Sequence, residues 1–91
     1  MDRRIFRVRQ LVLENLSRNW TVPKMAKPSD LSIPHFQKLF KTHIGIAPIA
    51  FLRQMRLEKA RELLENSFIQ IKQIRIQTGM TNGSHFTRAV I

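Results

Sequence analysis

The stretch Leu31-Ser32-Ile33-Pro34-His35-Phe36-Gln37-Lys38-Leu39-Phe40-Lys41 constrains the fold more than any other part of the chain. Ser32 suits a helix N-cap, and Pro34 suits a first turn, where backbone amides lack intrahelical partners. Ile33, Phe36, Leu39 and Phe40 then recur at helical steps, which predicts a helix over about 33–43 with one apolar side. Pro34, Gln37, Lys38 and Lys41 recur at the same steps on another side. That side offers an amide and two cations. Glutamine can make paired hydrogen bonds to an adenine edge, and lysine can donate to guanine acceptors or to phosphate. In isolation the same pattern describes an ordinary amphipathic surface helix whose polar side meets water. Its neighbours decide between the two readings.

Charge is the first of these. Sixteen Lys and Arg stand against six Asp and Glu, a formal net charge of +10 over 91 residues. So large an excess repels itself in a folded chain, which points to an anionic partner: nucleic acid, an acidic membrane or an acidic protein. Small basic folded domains most often serve nucleic acid. The absence of cysteine excludes disulfides and thiolate metal sites, which suits a reducing compartment, and a cytoplasmic location is expected. No apolar run approaches the roughly 20 residues of a membrane span. A chain of this length forms one small domain, or two very small units sharing a connector.

Taken in order, Asp2 can cap a first helix whose inward stripe is Ile5, Val8, Val12 and Leu16, ending near Asn19 and Trp20. Thr21 caps a short second helix with Pro23 in its first turn and Met25 and Ala26 inward. Pro28 ends it, and Ser29-Asp30 forms the turn before the helix described above. Two short helices joined by a tight turn, the second with a polar outer face, make a helix-turn-helix. Gly45 stops the 33–43 helix and Pro48 opens a long one reaching about Glu65. Its apolar residues change sides, from Phe51, Leu52 and Met55 to Leu57, Ala60, Leu63 and Leu64, as in a connector packed against two bodies. The pattern then restarts. Ile71, Ile74 and Ile76 begin a short helix closed by Gly79, and Thr81 or Asn82 caps another with Phe86, Ala89 and Val90 inward and Ser84, Thr87 and Arg88 outward. A duplicated unit presents two polar faces, a geometry suited to two major-groove segments about 34 Å apart on one side of a duplex.

These residues resemble the C-terminal DNA-binding domain of the AraC/XylS family of bacterial transcription regulators. The matching stretches are Trp20-Thr21-Val22, Met25-Ala26, Leu31-Ser32, Phe36 to Lys41, Gly45 to Pro48, Arg56 to Leu64, Ile71, Ile74, Gly79-Met80 and Ser84 to Arg88, nearly the whole chain. The resemblance implies an all-α, homeodomain-like fold in which two helix-turn-helix subdomains hang from one long helix. Their divisions fall at residues 1–47, 48–66 and 67–91. It also implies binding to double-stranded DNA, with recognition helices at about 33–43 and 82–91 in adjacent major grooves. Carried over by position, Pro34, Gln37 and Lys38 face bases from the first helix, and Gly83, Ser84, Thr87 and Arg88 from the second. Ser32, His35, Lys41, Thr42 and His85 are expected at phosphates. RNA polymerase is a further partner expected of a transcription activator. Neither a cofactor nor a metal is implied, and the folded core is expected to be a monomer.

Four positions depart from the family pattern. Asp30 replaces the usual turn glycine, and Asp tolerates a left-handed backbone better than most residues. Pro28 shortens the second helix, and Arg75 replaces a small residue at a close helix contact. The chain also reads Ala89-Val90-Ile91 where the family continues into a seventh helix, so a sound first subdomain and an incomplete second one are expected. No sensing domain precedes the first helix within these residues, which fits a stand-alone regulator, an excised piece or a truncated one alike. Among rival functions, catalysis lacks a constellation: His35, His43 and His85 have no metal-ligand spacing, and no nucleophilic triad or carboxylate pair is present. A membrane-surface role conflicts with the need of the first helix's apolar stripe for the core. A basic protein-interaction adaptor with only unspecific DNA affinity is the alternative that remains.

Overall fold

Asp2 opens the first helix in the way its side chain allows. In the structure, a computed structural model that describes residues 2–66 and 70–79, its Oδ1 accepts the Arg4 backbone N–H at 2.8 Å. Helix α1 (Arg3–Glu14) buries Ile5, Val8 and Val12. It stops well before Asn19, because Asn15 captures its last carbonyls: the Asn15 N–H donates to Val12 O at 3.1 Å, and Nδ2 to Leu11 O at 2.9 Å. Asparagine competes for backbone in this way and so ends helices early. Trp20 Nε1 then donates to the Asn15 carbonyl at 2.8 Å, which folds residues 15–20 back onto the core. Leu16 therefore packs half-buried from outside the helix rather than within it.

Helix α2 (Val22–Ala26) is capped by Thr21 and runs into a single 3-10 turn, Lys27–Ser29, that accommodates Pro28. Asp30 follows with φ +58, the left-handed conformation at the position of the family glycine. Ser29 is buried, and its hydroxyl donates to Ala26 O and accepts from the Leu31 N–H at 3.3 Å. Helix α3 (Ile33–Ile44) starts on Ser32, whose Oγ accepts the His35 N–H at 3.4 Å, and ends on Gly45 at φ +99. Phe36 and Phe40 are completely buried, with ring centroids 5.6 Å apart, and Phe51 of α4 (Pro48–Asn66) meets Phe40 edge-on at 5.4 Å. This run of rings ties the middle of α3 to the start of α4. Ile33, expected inside, is 40% exposed. Side chains lean toward a helix N-terminus, so a residue in the first turn projects past the end of the packed face.

Helix α4 joins two clusters. Phe51 and Leu52 belong to the first, with Ile5, Val8, Val12, Trp20, Met25, Ala26, Phe36 and Phe40. Ala60 belongs to the second, against Ile74 of α5 (Ile71–Thr78), with Leu57, Leu63 and Leu64 around them. The change of apolar side along α4 has this cause. In α5 the buried pair is Ile74 and Thr78, four residues apart, while Ile71 and Ile76 are 43% and 64% exposed. A two-residue step lands on the far side of a helix. The described residues thus form an all-α fold: a helix-turn-helix core built on α1 to α3, a long connecting helix, and the first helix of a second unit. The expected second recognition helix, residues 82–91, lies outside the described residues.

Candidate nucleic-acid interface

The core determines what α3 can show to solvent. With Phe36 and Phe40 sealed and Leu39 half-buried, the opposite face is left to Pro34, Gln37, Lys38 and Lys41, all exposed. Ser32, His35 and Thr42 are exposed on its flanks. Lys38 and Lys41 form no ion pair with a described residue, so their charge is directed outward. Lys24, Lys27 and Arg53 are also exposed, on α2, the turn after it and α4. The whole first-unit core, rather than the helix itself, keeps this face in place: an isolated helix of this length is marginal in water.

Both hydroxyls expected at phosphates are already engaged. Thr42 Oγ1 donates to the Lys38 carbonyl at 2.8 Å, which leaves it only lone pairs to present until the hydroxyl turns away. Ser32 Oγ accepts from the His35 amide and keeps its own proton free to donate. Gly83, Ser84, His85, Thr87 and Arg88 lie outside the described residues. Among the described residues no group of three His, Asp or Glu could hold a metal ion, and no helix is long and apolar enough to cross a membrane.

A residue that pattern reading gave no role is Arg56, half-buried on α4 and bonded to carbonyls of the first unit. Its signals in the sequence were its place at the head of the matching stretch Arg56 to Leu64 and a cation just ahead of the apolar positions Leu57 and Ala60, which is also what a solvated lysine or arginine would look like.

A family model described as a helix-turn-helix domain matches residues 25–91. The chain belongs to the AraC/XylS family. It is an AraC-type helix-turn-helix domain, similar to the HTH-type transcriptional regulator MtrA of Neisseria gonorrhoeae, at 26% identity over 88 residues, 97% of this chain and 29% of that protein. It is also similar to the virulence regulon transcriptional activator VirF of Yersinia enterocolitica, at 30% identity over 83 residues, 91% of this chain and 31% of that protein. The chain thus spans about three-tenths of the length of these curated relatives. Among solved structures, the C-terminal domain of AraT, a response regulator from Geobacillus stearothermophilus, superposes with a TM-score of 0.88 at 27% identity, covering 98% of this chain and 74% of that one. The DNA-binding domain of AdpA, solved with a target DNA, shares the fold at a TM-score of 0.88 and 23% identity, covering 94% and 78%.

Proposed function

We propose that this AraC-type domain binds double-stranded DNA sequence-specifically and serves transcription regulation, without catalysis. The observation that carries the reading is the one-sided exposure of α3: Pro34, Gln37, Lys38 and Lys41 outward, with Phe36 and Phe40 fully buried behind them. A helix so held can enter a major groove as a rigid body, which is the geometry of helix-turn-helix readers. Pro34, Gln37 and Lys38 face base edges; Ser32, His35 and Lys41 face phosphates, and Thr42 joins them once its hydroxyl leaves the Lys38 carbonyl. Residues 82–91, expected from the sequence as the second recognition helix, read the adjacent groove through Gly83, Ser84, Thr87 and Arg88, with His85 at the backbone. Relatives named as transcriptional regulators, one of them an activator, support the same reading. A monomeric core, contact with RNA polymerase and a cytoplasmic location complete it.

Salt and sequence dependence test it together. Affinity for a selected site falls steeply with salt and exceeds that for random duplex by about 4 kcal/mol or more. Gln37→Ala relaxes preference at one base position by about 1–3 kcal/mol, whereas Lys41→Ala weakens all sequences alike and reduces the salt slope by about 1. A selected site that Gln37→Ala leaves unchanged overturns the assignment of this face, and binding with no sequence preference returns the chain to an unspecific basic adaptor.

A further inference from the structure

The Arg56 guanidinium is turned into the protein rather than out to water. Its Nε–H donates to the Leu16 carbonyl at 3.0 Å and its Nη2 to the Arg18 carbonyl at 2.8 Å. Both acceptors lie in the segment between α1 and α2, 40 and 38 residues upstream. Burial pushes the group below its ordinary pKa, yet arginine keeps its charge in proteins. Backbone carbonyls therefore hold a half-buried cation at this point.

Gly79 lies close against the same guanidinium. It closes α5 in the left-handed conformation, φ +75, with its N–H on the Arg75 and Ile76 carbonyls. A Cβ at this position would lie 2.9 Å from Arg56 Nη2, 3.0 Å from Cζ and 2.9 Å from the Leu16 carbonyl oxygen. Three parts of the molecule thus converge here: the chain after α1, the middle of α4 and the end of α5. The cation also stands at the negative end of the α5 dipole, where positive charge is stabilised.

We infer that Arg56 and Gly79 form a joint that fixes the angle of the second helix-turn-helix unit against the first. Resting on the paired-groove reading above, the joint sets the spacing of the two DNA half-sites that one chain engages together. The geometric reason is simple. Packing of Ile74 on Ala60 attaches α5 to α4 along one contact line and leaves rotation about it. A second contact off that line, where Gly79 at the end of α5 lies against the Leu16 carbonyl and the guanidinium that Leu16 and Arg18 hold, removes the rotation. Arginine is suited to the role because its planar fork reaches two diverging carbonyls at once, which a lysine point charge does not. Glycine is required opposite because no side chain fits. Arg56 is in this sense a positioning residue and touches no DNA.

The test uses the full 91-residue chain and two variants that break the joint from opposite sides, Arg56→Met and Gly79→Ala. Residual dipolar couplings of backbone amides in α1, α3 and α5 are expected to fit one alignment frame in the native protein and separate frames in both variants. Competition binding to duplexes carrying one half-site, or two at spacings varied by single base pairs, gives the functional readout. Both variants are expected to lose about tenfold or more of the advantage of the best-spaced pair, the part that rigid linkage supplies, while single-site affinity stays within about twofold. A single frame and an unchanged spacing preference in Arg56→Met overturn the inference. So does an equal loss on one site and on two, which makes Arg56 a support of the fold only. A native chain with one frame but no preference for paired sites overturns the paired-groove reading and the spacing consequence, while the shared frame supports the joint.

Discussion

At the residue scale, backbone chemistry decides more than side-chain identity. Asp30 holds φ +58 in the turn between α2 and α3. An L-residue there meets its own carbonyl, at roughly 1–2 kcal/mol, and Asp and Asn bear this better than most. Asp30→Val should therefore lower stability by about 1–2 kcal/mol in thermal or denaturant melts, while Asp30→Gly should not lower it. A valine variant as stable as the native chain would show that the turn adapts. Asp2 gives a pH signature. The side-chain hydrogen bond from Arg4, and then its backbone amide, hold the Asp2 carboxyl at about 2 against an ordinary 3.8. A folded pKa below the unfolded one means that its contribution is complete above about pH 4 and lost as pH falls through 3.8 toward 2. Asp2→Asn should flatten stability in that window relative to the native chain and leave the slope near neutrality unchanged. Both residues were legible in the sequence, because a cap and a turn need only local chain geometry.

At the element scale, helical periodicity placed most of the apolar residues. Phe36, Phe40, Met25 and Ala26 are buried where their spacing predicts, and Ser32 and Thr21 cap the helices they precede. The exceptions share a cause, since periodicity fixes direction around a helix but not what lies there. Ile33 points along its apolar stripe beyond the packed region, and Ile76 falls opposite Ile74 and Thr78. The early end of α1 came from a competition between Asn15 and the helix for the same carbonyls, which composition does not rank. Ala60 is the element-scale test. It is fully buried on α4 against Ile74, with Leu57, Leu63 and Leu64 around the pair, so a larger side chain has nowhere to go. Ala60→Leu should destabilise the α4–α5 contact by about 1–3 kcal/mol, seen as loss of amide protection in α5. Protection in α3 should stay near its native level. Equal losses in both helices would mean that the two clusters open as one.

At the scale of the whole molecule, stability is unevenly distributed. The first cluster gathers three phenylalanine rings in tilted and edge-on contact, Trp20 and the aliphatic stripe of α1, whereas the described part of the second rests on Ala60 and Ile74 with half-buried leucines. Buried apolar area sets local opening free energy, so native-state amide exchange should be faster in α5 than in α3. Comparable protection in the two would require a second core as large as the first. The same unevenness bears on recognition. A reading head seated on the stronger core keeps its geometry when the other opens, and Gln37→Ala and Lys41→Ala should then separate base preference from phosphate affinity on that head alone.

From its sequence alone this chain determined its caps, its turns, the inward face of α3 and the change of side along α4, because each follows from contacts within a few residues. The tertiary structure alone decided where α1 ends, that Ile33 lies outside, and that Arg56 reaches back to Leu16 and Arg18 beside Gly79. Those outcomes depend on which distant carbonyl, ring or void stands at the end of a side chain, and spacing along a polymer carries no record of that.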